Sequence, residues 1–93
     1  MSVLNRIKLK VAREEVLYSN HVLDNLDHLN LTKDDINNTI FTCEEIKKEV
    51  DLISTKYVIL GYALNDMPTK IVCAFRNELL IYISIHEDWL RYE

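Results

Sequence analysis

The chain has 93 residues, 48% of them hydrophobic, and a mean hydropathy of −0.08, which is typical of one globular domain and not of a disordered chain. The formal net charge of −4 disfavours a protein that holds nucleic acid by long-range attraction alone. No apolar run reaches the ~18 residues of a membrane-spanning helix, and the N-terminus lacks the features of a signal peptide. We therefore expect a cytoplasmic protein with one domain over residues 1–93.

Helical spacing of apolar residues predicts three helices in the first half of the chain. The first covers residues 3–13, and the second covers about residues 20–29 behind Ser19, whose hydroxyl suits an N-cap. The third begins at Thr32 and ends near Cys43, with two aspartates in its first turn. Val16-Leu17-Tyr18 between the first two helices is predicted to be an extended link.

β-branched and aromatic residues dominate the second half and predict an antiparallel meander. Its strands are Lys56–Ala63, Thr69–Phe75 and Leu79–His86, preceded by a further strand at residues 45–52 and followed by a tail, Glu87–Glu93. The predicted fold is therefore α+β, with N-terminal helices packed on one face of a sheet of three to four antiparallel strands.

Two-residue turns at Asn65-Asp66 and Asn77-Glu78 would fix the register of this meander. They pair Tyr62 with Thr69, and Phe75 with Leu80. Strand alternation then places a nearly apolar set under the helices, with Lys70 and Arg76 at its ends, namely Tyr57, Ile59, Gly61, Ala63, Val72, Ala74, Leu79, Ile81, Ile83 and Ile85. The opposite face receives the polar residues Lys56, Tyr62, Thr69, Tyr82, Ser84 and His86.

The residue types on this polar face are those needed for metal-independent cleavage of RNA. A histidine titrates near neutrality and can exchange protons, a lysine can offset charge on phosphate, and a tyrosine can donate a hydrogen bond or stack on a base. The sequence contains no paired carboxylates or histidine spacing that would favour a metal-dependent nuclease. Cys43 and Cys73 lack metal spacing, and a reducing compartment favours two thiols over a disulfide.

Three segments of the chain resemble a bacterial family of small toxin-like domains. They are YSNHVLDNLDHLNLTKDDI from Tyr18, KYVILGYALNDMPTKIVCAF from Lys56, and ISIHEDW from Ile83. The family pattern has a Ser-x-His-Ala-Leu run before an acidic helix start, then Tyr-Leu-Val-Leu-Gly, and finally Ile-Thr-Val-Tyr-Glu. The resemblance spans about residues 15–90. His21 matches the family histidine, and His86 stands where the family has its closing tyrosine.

That family is similar to the MqsR and BrnT branches of the RelE-like toxins, often encoded beside a zinc-finger antitoxin of the MqsA (YgiT) type. The resemblance implies a cofactor-free endoribonuclease that cleaves messenger RNA and is neutralised by a protein antitoxin. We expect His86, Lys56 and Tyr82 to be catalytic. The expected substrate-binding residues are Tyr62, Thr69, Ser84, His21 and Arg76.

The charge distribution supports an alternative without catalysis. Residues 1–13 carry +4 and no acid, whereas residues 14–51 carry −7. In this interpretation the basic first helix and the polar sheet face form the binding surfaces of a protein-interaction module. Turnover of RNA separates the two hypotheses.

Overall fold

The computed structural model describes residues 2–88, and the predicted tail lies outside the described residues from residue 89 onward. Within the described residues, three helices and five strands form an α+β fold, as predicted, with more strands than expected. In chain order the elements are α1 (Val3–Ala12), β1 (Val16–Tyr18), α2 (Asn20–Leu29), α3 (Lys33–Phe41), β2 (Glu45–Val50), β3 (Thr55–Tyr62), β4 (Pro68–Arg76) and β5 (Leu79–Glu87).

Each helix begins at the polar residue that precedes its apolar pattern. The hydroxyl of Ser19 accepts a hydrogen bond from the Val22 N–H at 3.0 Å, as the sequence predicted for the start of α2. Thr32 and Asp35 form a capping box at the start of α3. The Asp35 carboxylate also accepts from the Leu64 N–H at 2.9 Å and so connects this helix end to the loop between β3 and β4.

The five strands form one mixed sheet in the order β1-β5-β4-β3-β2. β1 runs parallel to β5, and the other neighbours are antiparallel. The segment Val16–Tyr18, predicted as an extended link, is thus an edge strand. The strand predicted at residues 45–52 is confirmed as β2, although it ends at Val50.

The predicted register between β3 and β4 is wrong by one residue. Tyr62 faces Pro68 and Gly61 faces Thr69, because the connection is a three-residue loop closed by a hydrogen bond from the Ala63 N–H to the Met67 carbonyl. Asp66 at the end of this loop has φ of 65°, a conformation typical of three-residue hairpins. A shift of one residue turns every side chain of β4 to the opposite face.

The second hairpin has the predicted two-residue turn, but β5 contains an irregularity that the sequence did not reveal. Phe75 faces Leu80 and Cys73 faces Tyr82, whereas Val72 faces Ser84. The additional residue, Ile83, forms a β-bulge. The bulge reverses the alternation, so the two halves of β5 present opposite sets of residues to the helices.

All three helices pack on one face of the sheet, as predicted, but the residues beneath them are partly different. β3 contributes the predicted Ile59 and Ala63. β4 and the first half of β5 contribute residues predicted for the opposite face, which is a direct consequence of the shifted register. The buried hydrophobic cluster consists of Ile7, Val22, Leu26, Leu31, Ile36, Ile40, Ile59, Ala63, Ile71, Cys73, Leu80, Tyr82 and Ile85.

α3 approaches the sheet very closely at Gly61 in β3. A Cβ atom at this position would lie 2.1 Å from the carbonyl oxygen of Thr39 in α3. The Thr39 hydroxyl donates to the Asp35 carbonyl at 2.8 Å and lies 2.7 Å from the Thr69 hydroxyl, which fixes the helix above the sheet. Only glycine therefore fits beneath α3 at this point.

We predict that Gly61→Ala destabilises the protein by at least about 3 kcal/mol, because the new methyl group collides with backbone that cannot move without displacing α3. Urea denaturation measures the change. Leu64→Ala in the adjacent exposed loop is the control and should change the unfolding free energy by less than about 0.5 kcal/mol. Equal stability of Gly61→Ala and wild type would contradict the packing described.

Candidate functional site

The second half of β5 lies beyond the end of β1. There the edge of β5 is hydrogen-bonded by side chains at the start and in the middle of α2. β1 pairs only with residues 80–82 of β5. After that point the Ser19 hydroxyl donates to the Ile83 carbonyl at 3.0 Å, and the Asn25 side-chain oxygen accepts from the Ile85 N–H at 3.1 Å. The N-cap residue of α2 and one side chain within the helix thus replace a neighbouring strand and hold the end of β5 against the helix.

His86 is exposed at this end of β5, on the face predicted from the sequence. It stands directly opposite Lys70 of β4 in the antiparallel ladder. A cleft of about 360 Å³ opens beside it, lined by Asn25, His28, Leu29, Ile85, His86 and Glu87. The structure therefore places an imidazole, a second imidazole and an ammonium group at one end of the sheet.

The surroundings of His86 favour its neutral form. Partial burial lowers the pKa of the imidazole most, and the positive charges of Lys70 and His21 lower it further. His21 lies in the first turn of α2, the helix that binds the edge of β5. At neutral pH His86 thus has a free ring nitrogen that can accept a proton.

Three predicted site residues are not accessible at this site. Tyr82 is 0% exposed in the core, where its ring lies 5.1 Å from that of Tyr18, and burial strongly raises the pKa of its phenol. Thr69 is fully buried against Thr39, because the shifted register turns it toward the helices. Ser84 keeps the predicted face, opposite Val72, but is only 7% exposed. The prediction that these side chains line a solvated face with His86 is wrong.

The other predicted residues lie elsewhere on the sheet. Lys56 is on the face opposite the helices, across from Glu49 of β2. Leu60 of β3 stands opposite Lys70, and Lys56 is four residues from Leu60. Lys56 therefore lies about 13 Å from Lys70 along the strand direction. The Tyr62 hydroxyl donates to the Glu44 carboxylate.

Arg76 lies at the far end of β4, beside the turn into β5. The charge of His21 influences His86, whereas Lys56 and Arg76 lie at other parts of the sheet.

Two residues of this site were not predicted as site residues. Lys70 was assigned to the helix-facing side, and the one-residue error in the first turn accounts for that. His28 could not be predicted as a site residue, because the sequence alone does not show which strand α2 packs against. Its position one helical turn beyond Asn25 would have been informative once Asn25 was known to bind the edge of β5.

Between residues 2 and 88, no three histidine, cysteine, aspartate or glutamate side chains are grouped so that they could hold a metal ion. Cys43 and Cys73 are not joined by a disulfide, and burial raises the pKa of Cys73 to about 12. Among the same described residues, none of the helices has the length and apolar character required to cross a bilayer.

Comparison with known proteins adds no relative. No protein-family model matches the chain, no curated protein matches its sequence, and no solved structure matches its fold. The resemblance to RelE-like toxins stays a prediction from the sequence segments.

We predict that Tyr82→Phe is at least as stable as wild type, with a gain of up to about 2 kcal/mol, because the phenolic oxygen is buried without a hydrogen-bond partner among the described residues. Thermal and urea denaturation measure this. Tyr82→Ala is the comparison and should lose about 3–5 kcal/mol through the cavity it leaves. A loss above about 1 kcal/mol in Tyr82→Phe would indicate that the hydroxyl has a partner.

We predict a lowered titration midpoint for His86 and a matching dependence of stability on pH. NMR titration of the imidazoles should give His86 a midpoint below the ordinary value of about 6.5. The folded state then binds the proton less tightly than the unfolded state, so this group lowers stability as pH falls below about 6.5 and has no effect above it. Lys70→Gln should raise the His86 midpoint without fully restoring it, since burial is the larger cause. A midpoint at or above 6.5 in wild type would contradict the geometry.

Proposed function

We propose that this protein is a metal-independent endoribonuclease of the toxin class, with its site at the end of β5. One observation carries the proposal. The chain has three histidines, and all of them lie around this end of the sheet: His28 and His86 line one cleft, and His21 is close enough to affect the pKa of His86. Lys70 adds a positive charge directly opposite His86.

These groups suit cleavage of RNA through its own 2′-hydroxyl. Neutral His86 removes the 2′-hydroxyl proton, and the oxygen attacks the adjacent phosphorus to form a 2′,3′-cyclic phosphate. The bond to the 5′-oxygen breaks, and that oxygen takes a proton from a second imidazole, His21 or His28. The Lys70 ammonium offsets the negative charge that accumulates on the phosphoryl oxygens. No bound metal is needed for any of these steps.

The resemblance to RelE-like toxins supports the same class and adds a partner. We propose that a protein antitoxin, of the MqsA zinc-finger type or another, neutralises the chain by covering the end of β5. The acid–base pair differs from the one predicted from sequence, because Tyr82 is buried and Lys56 is distant. Lys70 takes the role that was assigned to Lys56.

The test is cleavage of a labelled single-stranded RNA by purified protein in the presence of EDTA. His86→Gln should reduce the rate by ~10²–10⁴ and should also relieve growth arrest when the gene is expressed. Lys48→Gln is the control, because Lys48 is exposed on β2 far from the histidines, and it should retain the wild-type rate. Circular dichroism and thermal denaturation verify that each variant is folded.

A folded His86→Gln variant that cleaves at the wild-type rate would remove His86 from the mechanism. Wild-type protein that neither cleaves RNA nor arrests growth would contradict the enzymatic proposal as a whole. Co-expression of an antitoxin candidate from a neighbouring gene should restore growth and yield a stable complex.

A second candidate function is a protein-interaction module without catalysis. The observation that favours it is the apolar character of the sheet face opposite the helices. Leu17 of β1 is 50% exposed there, and Ile81, which stands opposite it in β5, is partly exposed. Exposed apolar side chains that adjoin one another are typical of interaction surfaces. If this candidate is correct, the protein should not cleave RNA. His86→Gln should bind the partner as tightly as wild type does.

A further inference from the structure

A second cleft, of about 470 Å³, lies at the opposite end of β5 from the histidines. It is formed by one side of α1 and by the turn between β4 and β5. The lining residues are Arg6, Leu9, Lys10, Arg13, Phe75, Arg76, Asn77 and Glu78. His86 is seven residues from Leu79 along β5, so the two clefts are about 23 Å apart.

The cleft is strongly basic although the chain as a whole is acidic. Arg6, Lys10 and Arg13 recur at helical spacing and form one stripe about 10 Å long on α1. Arg76 faces this stripe from β4, and Glu78 is the one carboxylate among the lining residues.

Part of this positive charge is not neutralised within the described structure. Lys10 is engaged, since its ammonium donates to the Glu78 carbonyl and lies 3.7 Å from the Glu15 carboxylate. The other ion pair found between residues 2 and 88 joins Lys47 and Glu45 on β2. Arg13 and Arg76 therefore have no carboxylate partner in that part of the chain, and both guanidinium groups are exposed.

The apolar part of the cleft distinguishes between possible ligands. Leu9 is 36% exposed at its wall. The Arg6 guanidinium lies 4.4 Å from the centroid of the Phe75 ring, and the centroid of the Tyr57 ring lies 5.9 Å from it in a T-shaped arrangement. Proteins that bind single-stranded RNA stack bases on free aromatic faces. Phe75 is already covered by Arg6, so it is poorly suited to that role.

We propose that this cleft is a docking site for an acidic segment of a partner protein. Aspartate or glutamate side chains of the segment pair with the guanidinium groups of Arg13 and Arg76, whose planar geometry matches a carboxylate. An apolar side chain of the same segment packs on Leu9. The site does not depend on RNA cleavage, because it lies at the other end of β5 and shares no residue with the histidine cleft.

The probe is a fluorescein-labelled peptide rich in glutamate and leucine, with binding to the full chain followed by fluorescence anisotropy. Wild-type protein should bind this peptide and should not bind the same peptide with glutamine at every glutamate. The double variant Arg13→Gln/Arg76→Gln should bind at least about tenfold more weakly, through loss of two charge-assisted pairs. Added salt should weaken wild-type binding in the same direction.

The matched control is Lys47→Gln/Lys48→Gln, which removes the same charge from exposed positions on β2 and should bind the peptide as wild type does. His86→Gln should also bind normally, so loss of RNA cleavage and loss of docking remain separable. Absence of peptide binding by wild type, or equal binding by the Arg13→Gln/Arg76→Gln variant, would overturn the proposal. Tighter binding of a labelled uridine-rich RNA, lost in the same variant, would instead identify an RNA-binding surface.

Discussion

The bulge in β5 is the constraint on which the arrangement of this protein depends. A regular strand that directs Tyr82 toward the helices would direct Ser84 and His86 there as well, and Ile85 away from them. With Ile83 inserted between the Cys73–Tyr82 and Val72–Ser84 pairs, both Tyr82 and Ile85 enter the core and His86 is left exposed. The bulge thus allows one strand to supply two large core side chains and an accessible histidine within five residues. Bulges often lie beside functional sites because they redirect single side chains in this way.

Much of the architecture follows from local sequence signals. The helix starts at Ser19 and Thr32 and the strands of the meander could be predicted, because capping residues and β-branched runs act over a few residues. The parallel pairing of β1 could not be predicted, since three residues carry too little pattern to define a strand or its neighbour. The prediction of the sheet faces failed for a different reason. Side-chain alternation has a period of two, so one misjudged loop residue inverts a whole strand.

The correct prediction that His86 is exposed was the product of two compensating errors. The first turn contains Leu64, Asn65 and Asp66 rather than two residues, which inverted β4 and the first half of β5. The bulge then inverted the second half again, so His86 lies on the predicted face while Tyr82 does not. A three-residue turn with Asp66 at positive φ has no glycine to mark it, and the bulge lies in an unbroken run of apolar residues. Neither feature has a clear signal in one sequence.

The fold separates two chemically different surfaces along β5. At one end, α2 binds the strand edge through Ser19 and Asn25, and this attachment brings its histidines beside His86. At the other end, α1 places its arginines above Phe75 and the last hairpin. Between these ends, Gly61 lets α3 approach the sheet closely enough to bury its threonine and aspartate side chains. The same core therefore positions the candidate catalytic end and the candidate docking end independently.

The most direct test of this account is the pairing of β4 with β5 in solution, measured from cross-strand nuclear Overhauser effects in isotope-labelled protein. The bulge predicts contacts from the backbone of Lys70 to that of His86, together with contacts from Cys73 to Tyr82. A regular strand with the same turn would keep the Cys73 contact but pair Lys70 with Ile85. That second pattern would direct His86 toward the helices and contradict the proposed site.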